Sequence, residues 1–247
     1  MIEFKHLSFS YDPHGEQGDR EETEDLHDVN LTVHDGECVL LSGKSGCGKT
    51  TMTRLVNGLV PHFYPGKLCG EVLLDGRNVS EMPMYETASL VGSVFQNPRT
   101  QFFNVDTDSE MAFGLENRAF PREQIEEKVA TAAKDLKIEN LRGRNIFSLS
   151  GGEKQKIAFA SVYAMNPSVY LLDEPSSNLD MESVASLQSH LKMLKSQGKT
   201  ILIVEHRLYY LMGIADRIIV LHEGRIKKDC SEKEFLTLSD EERRSMG

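Results

Sequence analysis

Gly43-Lys44-Ser45-Gly46-Cys47-Gly48-Lys49-Thr50 is the stretch on which the reading of this chain turns. It fits the spacing G-x-x-x-x-G-K-(S/T), whose glycines let the backbone turn so that successive N–H groups point into one concavity. A helix starting at its end adds a positive pole, so the loop becomes a cradle for anions, above all for the phosphates of a nucleotide. Lys49 is placed to bridge the β- and γ-phosphates, and the Thr50 hydroxyl to ligate Mg²⁺. The flanks agree: Val39-Leu40-Leu41 reads as a buried strand leading in, and Met52-Thr53-Arg54-Leu55-Val56 continues as a helix. A glycine-rich turn that binds nothing is the plainer alternative, and the strand–loop–helix context weighs against it.

Outward from this loop, strand-like runs occur at residues 2–10, 29–33, 38–41, 71–74, 91–95, 169–172, 200–204 and 217–221. Residues 122–136 place Ile125, Val129, Ala132 and Leu136 on one helical face, and residues 183–195 do the same with Val184, Leu187, Leu191 and Leu194. Short apolar strands alternating with amphipathic helices predict an α/β fold with a parallel sheet covered on both sides. The first third, with its Leu74-Asp75-Gly76 turn, predicts an antiparallel portion. Residues 97–160 read as a mostly helical insertion between two sheet strands.

The 247 residues are 39% hydrophobic and 27% charged, which is enough apolar side chain to bury a core and is not a disordered composition. The net charge of −10 is largely local, because between Asp12 and Asp28 eight acids stand against Arg20 alone. With Pro13, Gly15 and Gly18, residues 12–28 read as a solvated acidic loop. An acidic total argues against a general nucleic-acid binder, which needs a basic face to displace counterions. Cys38, Cys47, Cys69 and Cys230 are scattered and form no C-x-x-C pair, as expected of incidental thiols in a reducing cytoplasm. The N-terminus lacks the apolar core of a signal peptide. Residues 157–172, the longest uncharged stretch, are broken by Asn166-Pro167 and are too short to span a bilayer. A membrane role therefore runs through a partner.

A second candidate site begins at Val169-Tyr170-Leu171-Leu172-Asp173-Glu174, a buried-strand pattern ending in two acids. An Asp at the end of a core strand can hold Mg²⁺ through its water shell, and the neighbouring Glu can polarise a water. Alone the pattern is weak, since acids often follow strands as turn formers. Just upstream, Leu149-Ser150-Gly151-Gly152-Glu153 places adjacent glycines at a helix start, as a second phosphate cradle or as a structural turn.

Together these motifs resemble the nucleotide-binding subunits of ABC transporters, over nearly the whole chain and in that family's order. In this resemblance residues 43–50 are the Walker A loop and Gln96 the Q-loop glutamine. Residues 149–153 are the signature motif, and residues 170–174 are Walker B with its glutamate. Ser177-Asn178-Leu179-Asp180 looks like the D-loop and His206 like the switch histidine. The resemblance implies one nucleotide-binding domain over residues 1–247, with a P-loop NTPase (RecA-like) core, an antiparallel β subdomain and an inserted α-helical subdomain.

It also implies ATP and Mg²⁺, and a second ABC ATPase domain docked head to tail, homo- or heterodimeric, around two ATP molecules. Each ATP is then held by Gly43, Lys44, Ser45, Gly46, Cys47, Gly48, Lys49, Thr50 and Thr51 of one domain. From the other domain come Ser150, Gly151 and Gly152 of the signature and Asp180 of the D-loop. Thr50, Gln96 and Asp173 would attend the metal. Glu174 activates water, His206 contacts the γ-phosphate, Gln96 links metal and water to a transport partner, and Lys49 completes the catalytic set. Tyr11 stands where the family's adenine-stacking aromatic belongs, at a longer separation from the P-loop than is usual. Stacking and plain strand-end packing both remain open for it. Glu153 replaces the glutamine commonest at the end of the signature.

Residues 94–103, leading to 111–117, and Glu205-His206-Arg207-Leu208 look more narrowly like the ATPases of energy-coupling factor (ECF) transporters, bacterial and archaeal importers of vitamins and transition metal ions. That likeness implies a peripheral place on the cytoplasmic face of the cell membrane. It also implies a groove near the Q-loop that receives a transmembrane coupling subunit. Phe102, Phe103, Met111 and Phe113 are candidates to line the groove or, alternatively, to pack inside the helical subdomain. The polar ending at residues 239–247 raises the expectation that the chain is the first half of a tandem two-ATPase protein. The competing reading is a soluble ABC ATPase without a membrane partner, of the cofactor-assembly type. Lys49, Asp173, Glu174 and His206 together argue against a non-hydrolysing regulator. The transported solute is not legible, since in this family a separate membrane subunit selects it.

Overall fold

The computed structural model describes residues 1–11, 24–239 and 241–242. The chain opens with β1 (Ile2–Tyr11), β2 (Glu24–Val33) and β3 (Cys38–Ser42), followed by α1 (Lys49–Val56) and α2 (Leu59–His62). Next come β4 (Gly66–Leu74), β5 (Arg77–Asn78), α3 (Met84–Leu90) and β6 (Val91–Val94). Then α4 (Thr107–Asn117), α5 (Arg122–Asp135) and α6 (Gly151–Met165) precede β7 (Val169–Asp173). The rest is α7 (Met181–Ser196), β8 (Thr200–Val204), β9 (Arg217–His222), β10 (Arg225–Ser231) and α8 (Glu232–Thr237). Among the described residues the strands form two sheets, one in the order β2-β1-β4-β5 and one in the order β10-β9-β3-β8-β7-β6. The first is antiparallel; in the second only β10 runs against its neighbour.

The larger sheet is apolar on both faces, as a parallel sheet covered twice must be. Cys38, Leu40, Tyr170, Leu172, Ile201, Ile203, Ile218 and Val220 enter one buried cluster with the apolar faces of α4 to α7. Their strand neighbours Val39, Leu41, Val169, Leu171, Leu202, Val204, Ile219 and Leu221 enter another, with α1 and the antiparallel sheet. Val129, Ala132 and Leu136, and Val184, Leu187, Leu191 and Leu194, are buried as the helical periodicity predicts; Ile125 packs against that cluster while partly buried.

The acidic-loop expectation needs correction at its far end. Residues 12–23 lie outside the described residues, but residues 24–28 belong to β2, whose Glu24 pairs with Ser10 and Leu26 with Phe9. The alternation of β2 was hidden by a change of phase. Leu26 and Val29 are both buried and are separated by Asp28 at φ 45°, an irregularity facing that of His6 at φ 47° in β1. His6 Nδ1 and Asp28 Oδ1 lie 3.0 Å apart. Opposite them on β4, Gly70 has φ 79°, and a Cβ there would stand 2.3 Å from His6 O.

At the chain's other end, β10 and α8 extend the fold beyond the strands read from the sequence, and Phe235 of α8 is buried in the core. Because β3, β6, β7 and β8 run parallel, their carboxyl ends share one edge of the sheet. In an open α/β sheet that edge is where ligands bind.

Candidate active site

The loop after β3 turns directly into α1. Gly43, Gly46 and Gly48 have φ of 143°, 78° and 102°, and a Cβ at Gly43 would sit 2.3 Å from Leu221 O. Only glycine satisfies that turn beside β9. Gly48 is the N-cap of α1 and makes no side-chain cap bond, which leaves the helix start to its backbone N–H groups. Lys49 is buried and folds back on the loop, donating to Gly43 O at 2.8 Å and Lys44 O at 2.9 Å, with Cys47 Sγ at 3.7 Å. An ammonium held by neutral groups of the loop lies inside the cradle, where a phosphate would compete for it.

The Thr50 hydroxyl neighbours the Asp173 carboxylate, which brings the start of α1 to the end of β7. Burial raises the Asp173 pKa and neighbouring Glu174 adds to the rise, while the Thr50 hydrogen bond lowers it. Next along the chain, Glu174 has a left-handed backbone at φ 44°, a conformation rare for non-glycine residues and found at functional sites. Its amide donates to Val204 O at 2.9 Å. Gln96 Nε2 donates to Glu174 Oε2 at 2.7 Å, and His206 Nε2 lies 3.3 Å from Glu174 Oε1. Residues following β6, β7 and β8 thus meet around one carboxylate.

Tyr11, at the end of β1, is half-buried beside α1. Its hydroxyl accepts from Arg54 Nη1 at 3.0 Å and donates to Thr51 Oγ1 at 3.4 Å. Its ring packs edge-on against Phe9 at 4.9 Å and Tyr64 at 6.3 Å, and the Arg54 guanidinium covers Tyr64 at 4.3 Å.

The second glycine pair occupies a different set of contacts. Ser150 N-caps α6 in a capping box: its amide donates to Glu153 Oε2 at 2.8 Å, and its hydroxyl accepts from Glu153 N at 3.3 Å. Those bonds hold the Glu153 pKa low. Glu153 therefore has a cap to make in its own helix. Gly151 approaches Asn178 O, and a Cβ at Gly152 would stand 2.6 Å from Ser183 Oγ of α7. Asp180 N-caps α7 through Ser183 N at 2.8 Å, which depresses its pKa. Thus residues 150–152 and 180 meet one another around the starts of α6 and α7, apart from the group around Glu174.

The buried roles of three charged residues were not readable from the sequence, although Glu205 stands in the segment 205–208 that carries the narrower resemblance. Lys154 donates to the carbonyls of Leu149 and of Phe147, pinning the loop before α6. Glu110 of α4 accepts from Phe103 N at 3.0 Å and Asn104 N at 2.8 Å. Glu205 sits beneath His206. The Glu110 bonds shape a groove of about 380 Å³ lined by Tyr85, Phe103, Phe113 and Met165 among others. Phe103 stacks on Phe113 at 4.8 Å and remains 75% exposed. The two other groove candidates take the core role instead: Met111 is fully buried and Phe102 packs against the helical cluster. Met111 enters the same buried cluster as Val129 and Ala132 of α5 and Ile157 and Ala160 of α6, which takes it out of the groove.

The family model "ABC transporter" matches residues 26–177. A putative ABC transporter ATP-binding protein of Pyrococcus abyssi is 40% identical over 92% of this chain and 79% of its own length. The chain belongs to the ABC transporter family. A putative ABC transporter ATP-binding protein of Treponema denticola is 52% identical over 100% of this chain but only 49% of its own length. A second from that organism is 42% identical over 100% of the chain and 49% of its length. The chain thus spans about half the length of these relatives. Among solved structures, CbiO1 of Clostridium perfringens, part of the ABC transporter complex CbiONQ, superposes with TM-score 0.82 at 27% identity, covering 98% of this chain and 93% of that one. The dimeric bacterial ABC transporter cassette MJ0796 superposes with TM-score 0.81 at 26% identity, covering 94% and 99%. The fold is that of the ABC ATPases, and the P-loop domain is an ATP-binding one. No helix of the described residues is long and apolar enough to cross a membrane.

Proposed function

We propose that the chain is an ATP-hydrolysing subunit that closes with a second ABC ATPase domain around ATP and drives import through separate transmembrane subunits of the ECF type. The observation that carries this reading is the meeting of Gln96, Glu174 and His206 beside the P-loop. On it, backbone N–H groups of residues 43–50 and the Lys49 ammonium bind the phosphates. Glu174 takes the proton of the attacking water through the oxygen near His206, while Gln96 orients the carboxylate. His206 holds the γ-phosphate side of the site. Such positioning and charge neutralisation are the main demands of phosphoryl transfer.

Thr50 and Asp173 would hold Mg²⁺. Such an ion is commonly bound by one or two protein oxygens together with substrate phosphates and waters. When bound, Mg²⁺ neutralises charge on the β- and γ-phosphates.

The partner half of the proposal rests on two supports. One is the groove beside Gln101 and Phe103, where exposed aromatics suit an amphipathic helix. The other is likeness to CbiO1, a part of CbiONQ. The half-length match to the Treponema denticola relatives supports the proposal that a second ATPase domain continues in the same polypeptide. Purification from detergent-solubilised membranes, with identification of co-purifying proteins and assay of ATP turnover, tests both halves. An integral membrane partner and ATP hydrolysis are expected. Soluble partners alone would overturn the transport reading, and absence of turnover in the assembled complex would overturn the ATPase reading.

A further inference from the structure

Glu205 follows β8 directly and is 2% exposed. Its Oε1 accepts from the backbone N–H of His206 at 2.8 Å and of Arg207 at 3.1 Å. Its Oε2 accepts from Ser176 N at 3.2 Å and from the Tyr210 hydroxyl at 2.7 Å. A buried carboxylate is tolerated when its lone pairs are met by donors, and here the donors come from two loops. One carries His206; the other follows Glu174. Arg207 adds bonds in the opposite sense, donating through Nη1 to Ser176 O and Leu179 O, each at 3.3 Å. The His206 side chain is itself 40% exposed with Nε2 3.3 Å from Glu174 Oε1, while its backbone N–H is held by Glu205.

We propose that Glu205 is a positioning residue for ATP hydrolysis: it clamps the His206 loop to the segment after Glu174 and so sets the spacing of these two side chains. The inference rests on the roles given to Glu174 and His206 above. A carboxylate is required because four N–H and O–H groups converge on it, and only an acceptor without protons of its own satisfies all of them. Burial and the neighbouring Glu205 charge hold the Tyr210 pKa high, which keeps that phenol a donor. In Glu205→Gln the amide turns N–H groups toward Ser176 N–H, leaving a buried donor unpaired.

The test is ATP turnover by the full chain in its complex, for Glu205→Gln, Tyr210→Phe and His206→Ala, singly and in pairs. Glu205→Gln should lower kcat roughly ten- to a hundredfold while KM for ATP stays within about twofold. Tyr210→Phe removes one donor and should lower kcat about threefold. In the His206→Ala background both losses should vanish, because a clamp has no effect once the ring it places is gone. Equal losses in that background, or a rise in KM that accounts for the loss, would overturn the proposal. So would wild-type kcat in Glu205→Gln. If that variant fails to fold by circular dichroism, Tyr210→Phe, which keeps the backbone donors, decides by the same criteria. Wild-type turnover by His206→Ala alone overturns the underlying reading of the site; a slow His206→Ala beside an undiminished Glu205→Gln overturns the clamp alone.

Discussion

Gln96 and Glu174 are 78 residues apart in the chain, and the Gln96 amide donates to Oε2 of the carboxylate at 2.7 Å. The contact follows from topology. β6 and β7 are paired in parallel, with Val94 beside Leu172, so residues just past their ends fall side by side. One carboxylate oxygen is thereby fixed by an amide and the other is left facing His206. If Glu174 is the base proposed above, a carboxylate held in this way would meet its water in a single orientation.

Replacing Glu174 by Gln should lower ATP turnover by about a hundredfold or more, the usual cost of losing a general base. ATP binding should survive, since the phosphate cradle is untouched. Rapid-quench kinetics alongside nucleotide titration checks both; wild-type turnover would remove Glu174 from its role.

Lys49→Ala should weaken ATP binding roughly ten- to a hundredfold, the scale of a lost hydrogen bond to a charged group. The ammonium already bonds two loop carbonyls, Gly43 O and Lys44 O, so the unliganded loop should also loosen. Isothermal titration calorimetry measures the affinity, and an unchanged Kd would contradict the phosphate-cradle reading.

How much of this was legible in the chain depends on how local each signal is. The P-loop, the acids Asp173 and Glu174 at the end of β7 and the faces of α5 and α7 are patterns within a few residues, and each was readable. The start of β2 was not, because acidic composition and a bulge at Asp28 broke the alternation that announces a strand. The packing roles of Lys154, Glu110 and Glu205 were also opaque, even though Glu205 lies in the 205–208 motif. Each is a charged residue, and its meaning lies in carbonyls or amides brought to it by other loops. Phe102, Phe103, Met111 and Phe113 were alike in sequence, and only packing separates groove from core.

His190 of α7 supplies a pH dependence. It is 8% exposed and stacked on Phe159 at 5.3 Å. Burial lowers its pKa to about 4, helped by Lys156 and Lys137 and opposed by a hydrogen bond with the Leu136 backbone. The unfolded chain takes up this proton near the ordinary value of about 6.5. Stability should therefore be full above that pH and fall as pH drops toward 4, by at most about 3 kcal/mol. His190→Leu should flatten the slope in this window. Equal slopes for the two proteins in urea unfolding across the window would refute the assignment.

Phe103→Ala should reduce recovery of the membrane partner about tenfold or more, the scale at which truncation of an exposed aromatic anchor weakens an interface. The ring stands 75% exposed over the groove and stacks on Phe113. Quantitative co-purification checks this, and full recovery would move the docking surface elsewhere.

The strands of the larger sheet send alternate side chains into two different cores. That shared wall makes the two cores thermodynamic neighbours. Neither the helical side nor the nucleotide side can melt without stripping β3, β7 and β8 of half their burial, so both should open in one cooperative step. Ligand bound at the edge of that wall stabilises everything attached to it. ATP should consequently slow amide exchange in α5 and α7, on the face opposite α1, as well as in the loop that holds it.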